Sequence, residues 1–363
     1  MLCPVSRADP FMALYTYDPM GRLLTVTKDG ILVEEYQYDS VGRRTYEMNV
    51  LKGISGRTFS YSNEDHLLTA GDVTYQYDLD GFLTTKTQGS DLTHYSYSSR
   101  GELLRVYLAD GRVIEYINDP IGRRIAKKVD DLITEKYLWQ GLTRLLAVYD
   151  GSNNLIMRFE YADARTPVAM TKGGITYYLT YDQVGSLRIV ADALGNVVKR
   201  IDYDSFGTII NDTNPVLQIP FGFAGGLHDR DVGLVRFGLR DYDPETGRWT
   251  AKDPIGFAGQ NTDLYGYCLN DPINNIDPTG ELFVVIVAWI LVVTVTTGAI
   301  APFFVNVPEL PKGAPPGSLT PNYPGPAAPT PCPINEPPPI SGGPPPPPPK
   351  IPPWVIMPSQ PRR

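Results

Sequence analysis

A motif of tyrosine, aspartate and glycine that returns about every twenty residues confines this chain to a stack of hairpins. Aligned on Tyr-x-Tyr-Asp-x-x-Gly, the clearest copies are Tyr15, Tyr17, Asp18, Gly21 and Tyr36, Tyr38, Asp39, Gly42. Weaker copies follow at Phe59, Tyr61, Ser62, at Tyr75, Tyr77, Asp78, Gly81, at Tyr95, Tyr97, Ser98, Gly101 and at Tyr116, Asp119, Gly122. The second anchor falls at 17, 38, 61, 77, 97 and 118, in steps of 21, 23, 16, 20 and 21 residues. No single hairpin buries its own face, so units of this size must pile into a continuous sheet. Between anchors, runs such as Leu23-Leu-Thr-Val-Thr and Ile31-Leu-Val-Glu-Glu-Tyr are rich in β-branched and aromatic residues, and Asp29-Gly30 between them fits a type I′ turn. Asp110-Gly111, Asp150-Gly151 and Gly173-Gly174 read as equivalent turns, and the aromatic anchors are expected to stack from unit to unit. The repeats occupy residues 11–136. Residues 137–239 keep the β character with looser spacing and without a helical period.

Residues 240–281 are of a different kind. They contain Arg240-Asp-Tyr-Asp-Pro, Gly247-Arg-Trp, Asp253-Pro-Ile-Gly-Phe, Asn261-Thr-Asp-Leu-Tyr-Gly-Tyr, Asn270 and the run from Pro272 to Gly280. Two Asp-Pro-x-Gly tetrads, at Asp253 and Asp277, stand 24 residues apart, and the second lies against an abrupt change of composition. Read alone, such a tetrad is a turn: Asp caps its own backbone, Pro fixes φ, and Gly accepts positive φ.

Together with the repeats, this block resembles the core of Rhs or YD-repeat proteins, a family that includes Tc-toxin C components and polymorphic toxins, and the resemblance covers residues 11–281. It implies an all-β fold in which the hairpins spiral into a β-sheet shell, partial in this chain, that encloses a C-terminal polypeptide and is plugged by the core. It further implies self-cleavage at the end of the core, with Asp253 and Asp277 as the dyad, Arg240 orienting or polarising, and Glu281–Leu282 as the scissile bond. Two closely held carboxylates cannot both ionise, so one keeps a proton to donate while the other takes one from water. The enzyme implied is a single-turnover aspartyl-type peptidase. The family pattern has leucine directly after the tetrad, whereas Glu281 intervenes before Leu282 here. Its carboxylate is expected to raise the dyad's pKa, so active cleavage stands against a purely structural pair of turns.

The net charge of −8 divides into about −10 on residues 1–281, with 28 basic and 38 acidic side chains, and about +2 on the remainder, which argues against a nucleic-acid groove. The histidines, His66, His94 and His228, have no metal-ligand spacing, and the sequence carries no phosphate loop or nucleophile elbow, so no cofactor or metal is expected. Cys3, Cys268 and Cys332 are odd in number and far apart, which argues against a disulfide scaffold. Residues 1–10 form an N-terminal extension without the apolar core of a signal peptide.

After Glu281 come 24 residues, 282–305, without a formal charge. As a helix they would extend about 36 Å, enough to cross a bilayer, and a membrane-capable helix is expected over a buried or aggregating strand. Residues 306–363 form a proline-rich tail, since 23 of the 35 prolines fall in the last 56 positions; polyproline II or disorder is expected there. The favoured function is a shell that releases its own tail as a toxin or effector cargo, with a secretion machine or further repeats as partners. A membrane-anchored surface or adhesion protein and an inactive orphan fragment are the alternatives. The first two place the chain outside the cell, on its surface or at a membrane.

Overall fold

The computed structural model describes residues 13–162, 165–259, 262–285, 292–296 and 299–303. Twenty strands, from Ala13–Tyr17 to Ile209–Asp212, form one antiparallel meander in which every strand pairs with its sequence neighbours. Helical structure among the described residues is limited to 3₁₀ turns of three or four residues.

The repeat motif closes one end of each hairpin. Asp18 Oδ1 accepts the backbone N–H groups of Met20 at 2.9 Å and Arg22 at 3.0 Å, while Oδ2 accepts Arg22 Nε at 2.5 Å. Gly21 completes the turn at φ 82°, in the left-handed region that glycine enters without a steric penalty. Asp39 and Asp119 repeat this clamp with Arg43 and Arg123. At several rungs the anchor tyrosine then reaches back to the previous unit: Tyr38 Oη donates to the Leu23 carbonyl at 2.8 Å, Tyr61 Oη to that of Arg44 at 2.7 Å, and Tyr161 Oη to that of Leu145 at 2.8 Å. Arg22 lies 4.9 Å from the centre of the Tyr38 ring and Arg43 lies 5.0 Å from that of Tyr61. The expected ring-on-ring stack is thus replaced at these rungs by arginine on tyrosine, which adds a cation–π contact to a hydrogen bond.

The opposite ends use two kinds of turn. Asp29-Gly30, with φ of 50° and 80°, and Gly173-Gly174, with 57° and 78°, are two-residue turns as read from the sequence. Asp130-Asp131, at φ 49° and 67°, makes the same turn without glycine. Asp150 instead clamps the N–H groups of Ser152 and Asn154, and Leu108 N–H donates to the Arg112 carbonyl across Asp110-Gly111. Both are therefore anchor-type turns.

The sheet curls until its end meets its beginning. Asn49 Nδ2 donates to Asp204 at 3.0 Å, Ser205 N–H donates to Glu34 at 3.3 Å, and the Phe206 ring lies edge-on to Tyr36 at 5.1 Å. Asp204 is buried in this seam, and desolvation pushes its pKa up to about 7, with Glu34 and Glu47 adding to the rise and Lys52 opposing it. Because the folded pKa exceeds the unfolded one, the stability Asp204 contributes is complete below the ordinary carboxylate range and is lost as pH rises through about 7. Calorimetry is expected to record a thermal midpoint that falls between about pH 5 and pH 8, and Asp204→Asn should flatten that decline.

Residues 221–281 fill the inside of the curl. A small antiparallel sheet, Leu227–Asp229, Leu234–Phe237, Arg240–Asp243 and Arg248–Trp249, stacks Phe237, Tyr242, Trp249 and Tyr267 into one aromatic core. Charged side chains tie it to the array: Arg57 to Glu245 at 2.7 Å, Lys127 to Asp229 at 2.7 Å, and Arg124 to Asp241 at 2.9 Å.

The helix expected over 282–305 is not found. Val284–Val285 pairs with Asn275–Ile276, and in a separate unit Val292–Thr296 pairs with Ala299–Phe303. Valine, isoleucine and threonine lose rotamer freedom in a helix and pack well on a pleated surface, so their density here favours strands over a helix. No helix among the described residues is long and apolar enough to cross a membrane. The extension 1–10, the tail 306–363, Asn261 and the cysteines Cys3 and Cys332 lie outside the described residues.

Candidate active site

The folded core brings Arg240, Asp253 and Asp277 together. Arg240 begins an inner strand of the small sheet, Asp253 follows its last strand, and Asp277 follows Asn275–Ile276. One nitrogen, Arg240 Nη2, lies 2.9 Å from Asp253 Oδ2 and 3.2 Å from Asp277 Oδ2. All three side chains are buried, and the guanidinium packs 4.1 Å from the centre of the Trp249 ring. Arg240 Nε also donates to the Gly280 carbonyl at 2.5 Å, which fixes the peptide beyond Asp277 against the arginine.

Both aspartates cap Asp-Pro-x-Gly turns related to those that close the repeats, with part of the repeat's hydrogen bonding: Asp253 keeps the bond from two residues on and Asp277 the one from four on. Asp277 Oδ1 accepts the N–H groups of Gly280 at 2.9 Å and Glu281 at 3.1 Å, and Asp253 Oδ1 accepts that of Ile255 at 2.9 Å. What differs is the residue four positions on. The Asp-Pro turns of the array carry Arg22 and Arg123 there, and these occupy the outer carboxylate oxygen. Phe257 and Glu281 stand at that position in the core, so Oδ2 of each aspartate is available to Arg240. The absence of arginine there is shared with the anchor turns of Asp78, Asp182 and Asp204, which carry Phe82, Ser186 and Thr208 at that position, so it permits the pairing with Arg240 without marking it in the sequence.

The expected scissile bond borders the pair. A Cβ built on Gly259 would stand 2.8 Å from Asp253 Oδ2 and 3.0 Å from the Glu281 carbonyl oxygen, so those two oxygens lie within about 6 Å of each other. Leu282, on the far side of that bond, is 42% exposed. Beside Asp253 lies a cleft of about 450 Å³ lined by Phe82, Ile121, Leu239, Lys252 and Pro254. Burial raises the Asp253 pKa, Arg240 opposes the rise, and Asp277 adds to it by like charge. The Glu281 carboxylate, expected to act on the dyad, is not among the main influences on Asp253.

Two features of the site have no counterpart in the sequence reading. The position a Cβ on Gly259 would fill lies against both Asp253 Oδ2 and the Glu281 carbonyl oxygen. Cys268, Leu269 and Asn270 form a left-handed turn, at φ 49°, 54° and 60°, just before the Asp277 loop. Asn270 Nδ2 locks that turn to the Gly42 carbonyl of the array at 2.9 Å.

Compared with known families, residues 11–273 match the model described as the teneurin YD-shell. The chain belongs to the teneurin YD-shell family. It is 31% identical over 287 residues to teneurin-3 of Danio rerio, a match covering 76% of this chain and 10% of that protein. It is 27% identical over 331 residues to double-stranded DNA deaminase toxin A of Burkholderia cenocepacia (strain H111), covering 82% of this chain and 22% of the toxin. Among solved structures, the crystal structure of TcdB2-TccC3-Cdc42 is similar with a TM-score of 0.43 and 17% identity, over 74% of this chain and 18% of that one. The Rhs and YD-repeat kinship read from residues 11–281 holds, and the chain spans about a tenth of the length of the teneurins it matches.

Proposed function

We propose that this shell segment presents its own C-terminal segment and severs it once, between Glu281 and Leu282, by aspartyl chemistry. The observation that carries the reading is the single guanidinium nitrogen bridging two buried carboxylates beside the Glu281 carbonyl. Asp253, whose pKa is raised, holds the proton; Asp277, held by Arg240 and two backbone N–H groups, accepts one from water. The water oxygen adds to the Glu281 carbonyl carbon. Asp253 then gives its proton to the Leu282 nitrogen as the C–N bond breaks. The body ends in the new Glu281 carboxylate and the peptide begins with the Leu282 amine.

The freed segment is the cargo, a toxin or effector handled outside the producing cell by a secretion machine or by further repeats, a reading supported by the toxin among its relatives. Mass spectrometry of the purified chain is expected to yield a body of residues 1–281 and a separate peptide beginning at Leu282; an intact chain after prolonged incubation across the acidic and neutral range removes the proposal. Residues 282–305 are the part of the cargo whose composition suits a bilayer. A synthetic peptide of that stretch should release dye from liposomes, and no release at any lipid ratio would exclude a membrane target.

A further inference from the structure

Gly259 touches the reacting groups of the proposed cleavage without taking part in it. The position its Cβ would fill is flanked by Asp253 Oδ2 at 2.8 Å, Glu281 O at 3.0 Å and Asp253 Cγ at 3.3 Å. Its φ lies outside the left-handed region, so the backbone does not require glycine here. What favours glycine is space: the 2.8 Å approach to Asp253 Oδ2 is one a real Cβ essentially never makes, and the 3.0 Å approach to Glu281 O is tighter than nine in ten real Cβ contacts. The neighbours are the carboxylate expected to act and the carbonyl expected to be cut.

We infer that Gly259 is a positioning residue, whose missing side chain sets the approach of the Asp253 carboxylate to the Glu281 carbonyl and so selects the bond that is cut. This rests on the proposed self-cleavage and adds to it a determinant outside the dyad. With a methyl group at 259, the softer neighbour yields: the Asp253 carboxylate swings away from the carbonyl and from Arg240, because Glu281 O is fixed in backbone. A displacement of about 1 Å in a reacting group costs roughly 100-fold in rate.

The test compares Gly259→Ala with Gly233→Ala in the full chain, following the cut by intact mass across a pH series. Gly233 sits in a turn of the small sheet at φ 72° with open space around it, so alanine there strains the backbone and touches nothing at the dyad. Gly233→Ala should lower the thermal midpoint by about 2–4 °C and cut at the wild-type rate. Gly259→Ala should cut roughly 100-fold more slowly, with its pH profile moved to higher pH, since Arg240 no longer holds the Asp253 pKa down. A fold merely weakened at 259 would lower the yield of cutting in proportion to the thermal midpoint and leave the pH profile in place. Cutting of Gly259→Ala at the wild-type rate, or an unmoved profile, overturns the inference while self-cleavage stands. An uncut wild-type chain removes both.

Discussion

Asp253→Asn is expected to remain a single chain under conditions in which the wild type separates into body and peptide. The amide keeps the shape of the carboxylate and still accepts a hydrogen bond from Ile255 N–H, but it carries no transferable proton. Loss of a positioned general acid or base costs roughly 10²–10⁴-fold in rate. Asp277→Asn is expected to lose as much, since the base then disappears and Arg240 faces one carboxylate. Stability should move the other way for Asp253→Asn. With both aspartates ionised, Arg240 compensates one of two buried negative charges; with a neutral amide in place of the Asp253 carboxylate, the remaining Arg240–Asp277 pair carries no net charge. Because burial raises the Asp253 pKa, its contribution to stability is present at low pH and lost as pH rises through the folded value. The variant should therefore melt no lower than the wild type at neutral pH, and its decline in stability from acidic to neutral conditions should be shallower than that of the wild type. Intact mass read beside a melting curve separates a lost reaction from a lost fold. A variant that cuts as fast as the wild type would take Asp253 out of the chemistry.

The parts of this molecule legible in the sequence are those whose physics is local. An aspartate that binds the N–H groups two and four residues ahead, with glycine between them at positive φ, makes the same turn wherever it occurs, so Asp18, Asp39 and Asp119 announce their hairpins. Tyrosines at a step near twenty give the stacking direction. The apolar run after Glu281 misleads because the absence of charge reports burial and says nothing of backbone geometry. The edge at Asn275–Ile276 offers Val284–Val285 a strand partner that only the folded core reveals. Asp130-Asp131 does not announce itself as a turn, because two adjacent left-handed residues without glycine are uncommon. As for the candidate site, a spacing of 24 residues allows contact without requiring it; the family resemblance names the residues. Their single shared nitrogen, and Gly259 beside it, depend on contacts across the folded core.

One buried contact that ties the core to the array joins residues more than a hundred positions apart. Asp241, on an inner strand of the small sheet, receives Arg124 Nη2 from the array at 2.9 Å and Arg236 Nη1 from its own sheet at 2.7 Å. All three side chains are buried, Arg124 lies 3.4 Å from the centre of the Tyr116 ring, and Arg236 extends to the Gly122 carbonyl at 3.1 Å. Asp241→Ala removes the one carboxylate shared by both guanidinium groups and leaves two cations in a buried space. Breaking a buried ion pair by deleting one partner costs about 3–5 kcal/mol, a large share of the roughly 5–15 kcal/mol by which a domain is stable. The urea midpoint should fall accordingly with the slope unchanged. Replacing Arg124, Arg236 and Asp241 together by apolar residues of similar volume is expected to recover most of that loss, because desolvation then has no charge to act on. Asp241 is also next to Arg240 in sequence. In the single variant, cutting should therefore fail at the same lowered urea midpoint as the repeat sheet, because unfolding takes Arg240 out of reach of Asp253 and Asp277.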